Sequence, residues 1–457
     1  MSYSLPTVLK NRRIKISILT HVPIILWSGK ATSRNFPANK YHFRPSSHFL
    51  YFAGLPLENA VIRLEQGRLE LFYDNPTIAS SLWHGELPTR EAIAERMGAD
   101  YAYPLSELPT KIQNTATIPV QDFATYQQQC QLLQRTIPPG NRLTGIDLEL
   151  ATAIVKLRLS HDQDAIAEIK DAIAVSVQAH KAGIQATPTA QSEAEIRAAM
   201  EKTIMAHDMT CAYNSIVTVQ GEVLHNEQYH NQLTPGDLLL ADVGAENSQG
   251  WASDITRTWP VSGKFSATQR AIYDLVLEAH DTCIAHMKPG VEYRDIHLLA
   301  ARIIAQGLVD LGILRGNPED LVDRDAHALF FPHGIGHLLG LDVHDMEDLG
   351  DLAGYETGRK RSDRFGLGYL RLDRTLRSGM IVTIEPGFYQ VPGILNNDDL
   401  RSEYDDVINW SRLAQFADVR GIRIEDDVLI TDSGTEVLTA ELPTKAPEIE
   451  SLLESVC

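Results

Sequence analysis

The order of apolar and polar positions splits the chain into two stretches of different character. Up to about Gly145, short apolar runs alternate with turn residues. The apolar start of the chain, VPIILWSG, HFLYFAGL, NAVIRLEQGRLELFY and RLTGIDL read as strands, and REAIAERMGA and ATYQQQCQLLQRT as helices. A boundary falls between Leu157 and Asp162. From there Ile166, Ile169, Ile173 and Val177 keep helical spacing, with Asp162 as N-cap and Gly183 as the stop. Ser192-x-x-Glu195 is a capping box that opens a second helix. The pattern then turns to strands: AYNSIVTVQ, GEVLHN, and an LLLADVG…SDITRTWP ribbon. A second helical pair follows, from Ser266-x-x-Gln269 to about Met287 and from about Asp295 through ARIIAQGLVDLG. MIVTIEPGFY and GIRIEDDVLIT close the series as strands, with irregular insertions before each. This order predicts an α/β (α+β) protein of two domains, 1–158 and 159–457, the second built from two similar α-β halves around one sheet.

The ribbon changes the picture from fold to chemistry. Asp242 ends one apolar run and Asp254 opens the next, twelve positions on, with the turn-forming AENSQG between them. Pairing the runs as a hairpin brings two carboxylates together. Such a pair is tolerated when the groups share a proton or hold a cation. Three more segments put an ionisable group beside an apolar strand: His337 in HGIGHLLG, Glu385 in VTIEPG and Glu425 in GIRIEDDVLI. Four carboxylates and one imidazole make a hard, oxygen-rich donor set suited to Mn²⁺, Co²⁺, Fe²⁺ or Zn²⁺. Five ligands are more than one catalytic ion uses and fit two divalent ions sharing a water. Hydrolysis is the chemistry implied.

Composition narrows the partners. The 457 residues carry a formal net charge of −19 and are 44% apolar. This charge argues against nucleic acid and anionic membranes as partners, and no run is long enough to span a bilayer. Thr20, His21 and Pro23 break the N-terminal apolar stretch, so a strand is favoured over a signal peptide. Cys130, Cys211, Cys283 and Cys457 form no Cys-x-x-Cys pair, which points to a reducing, cytoplasmic setting. The first domain holds no Gly-x-Gly-x-x-Gly or Gly-Lys-Thr loop.

ASDITRTWPVSGKFS, PHGIGHLLGLDVHD, VTIEPGFY and GIRIEDDVLIT closely resemble the proline-specific metallopeptidases of the pita-bread fold, aminopeptidase P and prolidase. HFLYFAGLP is similar to their N-terminal domain and TAELPTKAPEIESLL to their chain end. The resemblance implies the following roles. Asp242 binds one metal, Asp254 and Glu425 bridge two, and His337 and Glu385 complete the second. Glu385 is also the general base. His344 handles a proton near the scissile bond, His225 stabilises the tetrahedral intermediate, His333 lines the proline pocket and Arg423 orients a carboxylate. It further implies peptide substrates with proline second, Mn²⁺ as the first choice of metal, and a homo-oligomer, dimer or tetramer.

Two features pull in different directions. The Asp242–Asp254 spacing is one longer than the family's, an excess that the Glu246–Gly250 turn would absorb. The insertions after His337 and Glu385 look more like prolidase, and Arg371 in YLRLDRTL matches an arginine that holds a dipeptide's C-terminal carboxylate. Trp83, in an LWHGE turn, looks instead like the aminopeptidase P tryptophan that reaches a neighbouring subunit's site. Three functions follow: an Xaa-Pro aminopeptidase, an Xaa-Pro dipeptidase, or a catalytically inactive pita-bread binding protein, which the intact ligand set disfavours.

Overall fold

The computed structural model describes residues 4–454; Cys457 lies outside them. The chain forms two compact units. One gathers the residues up to Leu159 with Ser248–Gly250 and Met346–Ala353; the other holds the remainder.

The first unit is built on a sheet in which Ile24–Trp27, Val61–Glu65 and Arg68–Phe72 are antiparallel and Tyr101–Tyr103 adds in parallel. Gln66 (φ 50°) and Gly67 (φ 78°) both take positive φ, the geometry of a tight two-residue hairpin turn that lets strands keep their twist. Three expected strands are helices. Leu5–Leu19 is a helix whose inner face is Val8, Leu9, Arg12, Arg13 and Ile16. Two arginines interrupt that apolar stripe, which hides its period. Their guanidinium groups are buried because they donate to the carbonyls of Tyr51, Met97 and Gly98. In HFLYFAGL, Ser47–Ala53 is a helix buried on every side and closed by Gly54 in the left-handed region, so it has no polar face to reveal a period. RLTGIDL enters the helix Gly145–Arg158, where Asp147 is buried by accepting from Thr117 N–H and pairing with Arg135. Trp83 sits on a short helix, Ile78–His84, opened by a Thr77–Ser80 capping box, and not in a turn.

In the second unit Asp162 caps Gln163–Ala186 by accepting from Ala165 N–H at 2.8 Å. Gly183 lies inside this helix and does not stop it. A Cβ there would come within 2.7 Å of Met200, so the glycine permits close packing on Glu193–Ala206. Ser192 starts that second helix without a side-chain cap bond, and Glu195 accepts from Gln191 N–H instead. The Ser266–Gln269 capping box is complete at the head of Ala267–His286, and Tyr293–Asp310 follows. GEVLHN forms turns, not a strand.

The strands do not make one sheet. Thr256–Pro260, Leu238–Asp242 and Ile216–Thr218 form one three-stranded sheet, and Ile381–Ile384, Asp426–Ile430 and Thr435–Val437 form another. Gly387–Tyr389 pairs with Gly421–Arg423. Isolated bridges tie the first sheet to the segment between Arg423 and Asp426, through Thr256↔Glu425, and the second sheet to the HGIGHLLG loop, through Leu338↔Val382. Alternation along the ribbon divides its duties. Leu239, Ala241 and Val243 face a core with Val175, Ile184, Ile196, Met200 and Ile204, and Trp259 joins them. Leu240 packs with Ile216 and Tyr389 on the opposite face, and Asp242 follows it in register. Burying each such leucine contributes roughly 1.5–3 kcal/mol, and that burial holds the carboxylate face in place.

Candidate metal centre

Asp242 closes its strand opposite Thr256, two residues beyond Asp254. The phenol of Tyr213 donates toward both carboxylates, at 2.5 Å to Asp242 and 2.6 Å to Asp254. The second oxygen of Asp242 accepts from Arg423 at 2.5 Å. The same guanidinium donates to Thr256 Oγ1 at 3.0 Å and to the Tyr389 hydroxyl at 3.1 Å. Thr256 in turn donates to Glu425 at 2.7 Å. Glu425 occupies the break between Gly421–Arg423 and Asp426–Ile430, where its backbone bridges to Thr256. The backbone N–H of Asp254 is held by Asp427 at 3.1 Å.

His337 completes a cluster. Its Nδ1 donates to Leu338 O at 3.1 Å, which leaves Nε2 as an electron-pair donor. That nitrogen is 3.4 Å from Asp254 and 3.7 Å from Glu385. Donor atoms of Asp254, His337 and Glu425 lie within 4.8 Å of one another. Close approach is enforced by glycine: a Cβ on Gly336 would fall 2.1 Å from Thr383 O and 2.2 Å from the Tyr293 hydroxyl.

The electrostatics state what is needed. Burial, then Asp242, raises the Asp254 carboxyl well above its usual range. Burial and the Asp254 charge do the same to Glu425. Burial pushes Glu385 up to about 8, against the opposing pull of Arg423. Carboxylates crowded like this ionise together only with added positive charge, so the donor set fits divalent cations. Burial, helped by Arg423, lowers His333 to about 3 and His225 below its ordinary value. His333 therefore stays neutral: Nδ1 donates to Gly334 O and Nε2 accepts from the Tyr389 hydroxyl, each at 2.8 Å.

A cavity of about 780 Å³ opens over the cluster. Asp242, Asp254, His337, Glu385, Glu425, His225, His333, His344, Arg371 and Arg423 all line it. The His344 ring stands 4.1 Å from that of His337. Trp83 does not line this cavity; it is 78% exposed on the first unit's surface. Sequence reading missed Tyr213, Thr256, Tyr389 and Asp427. Tyr389 lay within EPGFY, four residues after the candidate ligand Glu385; nothing in TCAYNS marks Tyr213, whose partners lie 29 and 41 positions away.

Residues 167–432, over half of the chain, match the model of metallopeptidase family M24, and residues 9–120 match the aminopeptidase P N-terminal domain. A probable Xaa-Pro aminopeptidase of Uncinocarpus reesii is 32% identical, covering 90% of this chain and 86% of that protein. The Xaa-Pro aminopeptidase of Escherichia coli is 30% identical, with coverage of 91% and 90%. Human Xaa-Pro dipeptidase is also 30% identical, over 94% and 88%. The structure of E. coli aminopeptidase P with the inhibitor Pro-Leu superposes with a TM-score of 0.81 at 28% identity, covering 100% of this chain and 99% of that one. The expected architecture, a mixed N-terminal unit and a pita-bread unit, therefore stands. With the family's pattern matched over most of its second unit and near-full-length relatives above, the chain belongs to metallopeptidase family M24.

Proposed function

We propose that the protein is an Xaa-Pro aminopeptidase that uses two divalent metal ions, Mn²⁺ first among the candidates, to release an N-terminal residue joined to proline. The observation carrying this reading is the buried carboxylate cluster at the floor of a cavity that also holds His333, His344 and Arg423. Asp242, Asp254, His337, Glu385 and Glu425 would hold the ions. Bound there, divalent ions supply a water of lowered pKa and polarise the scissile carbonyl.

The chain's own groups do the rest. Glu385 would be ionised beside the ions and is the carboxylate assigned to take up a proton during hydrolysis. Arg423 and Tyr213 fix the two oxygens of Asp242. Neutral His333, edge-on to Phe331 at 5.0 Å between ring centres, gives the cavity an apolar shelf for a proline ring. A tertiary Xaa-Pro amide offers no N–H, so shape and the substrate's charged ends carry recognition. His344 and His225, both in the cavity lining, would meet the scissile group. Trp83, exposed on a helix without buried side chains, is assigned to a neighbouring copy's substrate site in a dimer or tetramer. The thiols of Cys130, Cys211 and Cys283 are free, in keeping with a cytoplasmic setting.

A second reading, an Xaa-Pro dipeptidase, is favoured by Arg371 in the cavity wall. Hydrolysis of an Xaa-Pro-Xaa tripeptide and an Xaa-Pro dipeptide by Mn²⁺-loaded protein separates the two. Cleavage of the tripeptide is the expected result. Cleavage of the dipeptide alone selects the second reading, and cleavage of neither, with metal shown to be bound, removes both.

A further inference from the structure

Residues 221–226, GEVLHN, form turns that bring Val223, Leu224 and His225 to the cavity. Both ends of this stretch are tied down. At one end buried Asn226 donates to Thr218 Oγ1 at 2.9 Å and accepts from Gln228 N–H at 3.0 Å. At the other, Glu222 is only 7% exposed. A charged side chain stays buried only when it is paired. Its partner is Arg420, whose Nε donates at 2.9 Å toward both carboxylate oxygens and whose Nη2 donates to Oε1.

Arg420 is tied to the strand that bears the site. It directly precedes Gly421–Arg423, two residues before Glu425, and its carbonyl accepts from Gln390 N–H at 2.9 Å. Gly421 meets Gly221 backbone to backbone. A Cβ on Gly421 would fall 2.2 Å from Gly221 O, and one on Gly221 would fall 2.8 Å from Gly421 O. Two residues without side chains let the turn lie directly against the strand, and the ion pair beside them fixes where it lies. The planar fork of an arginine sets direction as well as distance, which a lysine does not.

We infer that Arg420 and Glu222 are a positioning pair for catalysis: by locking the turn to the Gly421–Arg423 strand, they hold His225 at a fixed place relative to Arg423 and Glu425. The inference rests on the proline-peptidase reading shared by both functions above, in which His225 stabilises the tetrahedral intermediate. A group that acts only in the transition state is sensitive to small displacements, and loosening it lowers kcat with little change in KM.

The test measures kcat and KM, on the Xaa-Pro peptide that wild type cleaves, for Mn²⁺-loaded wild type, Arg420→Met, Arg420→Lys and Glu222→Gln, each alone and combined with His225→Ala. Calorimetric titration gives the Mn²⁺ affinity of each. Arg420→Met and Glu222→Gln should each lower kcat about tenfold, with KM and Mn²⁺ affinity within about twofold of wild type. Arg420→Lys should recover part of the loss, because charge returns without the fork. In the His225→Ala background, itself about 10²-fold slower, the same substitutions should change kcat by less than about twofold, since no ring remains to be positioned. The Arg420 side chain is 44% exposed, so its variants keep the fold even where Glu222→Gln, at a buried site, does not. Equal losses in both backgrounds overturn the inference. So does a fall in Mn²⁺ affinity that matches the fall in kcat, the mark of a merely structural role in the ligand strand. His225→Ala with wild-type kcat overturns it too. Wild type that binds Mn²⁺ and cuts neither a dipeptide nor a tripeptide removes the peptidase reading, and the inference with it.

Discussion

Single side chains carry unequal burdens at the cluster. Glu385 is the one proposed ligand also assigned to proton transfer, so Glu385→Ala should cut kcat by at least about 10³-fold, roughly 4 kcal/mol of barrier. Full activity in that variant would end the assignment. Tyr213→Phe tests a residue the sequence did not reveal. Its phenol spans Asp242 and Asp254, and losing it should weaken metal binding by about 10–100-fold, read by calorimetric titration of Mn²⁺ independently of turnover. The contrast between these two residues shows what a sequence makes legible. Glu385 stands at the end of MIVTI, where an acid conflicts with its apolar context and so draws notice. Tyr213 conflicts with nothing: a tyrosine beside a short strand is ordinary, and its partners become neighbours only through tertiary folding.

At the scale of elements, the ribbon and the segment behind the cavity respond differently to change. Gly244 sits where a Cβ would lie 1.9 Å from Ser253 O, so the ribbon's two arms cross closer than any side chain permits. Gly244→Ala should destabilise the protein by about 1–3 kcal/mol and lower metal affinity with it, measured as a loss in melting temperature with and without Mn²⁺. Behind the cavity wall, His297 donates to Gly366 O at 2.9 Å, and His327, 1% exposed, has no hydrogen-bond partner at either nitrogen among the described residues. Burial lowers these histidines to about 4 and about 3. A depressed folded-state value means the unfolded chain binds protons that the folded chain does not. Stability is thus complete above about pH 6.5 and falls below it, by up to about 1.4 kcal/mol per pH unit for each histidine. His297→Gln keeps a donor for Gly366 and should make the fall between pH 6.5 and 4 shallower by one proton, seen in urea unfolding. A parallel slope would show that His297 titrates normally. Helix identity was the harder reading at this scale. The Leu5–Leu19 and Ser47–Ala53 helices were hidden by buried arginines in one and by burial all round in the other. In the second unit Gln163–Ala186 and Ala267–His286, with polar outer faces and side-chain caps, were plain.

For the whole molecule, a net charge of −19 and a floor of crowded carboxylates act in the same direction. Removing the cations should therefore do more than stop catalysis. Exhaustive chelation is expected to abolish peptide cleavage and to lower the melting temperature, because ions that bind only the folded state stabilise it by mass action. Activity that survives chelation would sink the metal-dependent reading. The sheet topology was legible only in part: the pairing of Leu238–Asp242 with Thr256–Pro260 follows from local pattern, while the separate small sheets and the isolated bridges beside them do not. Such bridges depend on single residue contacts with no periodic signature.

The Thr256↔Glu425 bridge has a consequence in time as well as in space. Asp242 and Asp254 are twelve positions apart and can meet as soon as a hairpin closes, but Arg423 and Glu425 lie some 170 positions further on. Contacts across such a span form late, after the entropy of a long loop has been overcome. The nascent ribbon therefore brings two negative charges together before their arginine arrives, and the bridge is the step that relieves them. Because these contacts form late, Arg423→Met should speed unfolding more than it slows refolding, a signature visible in stopped-flow traces of the metal-free chain.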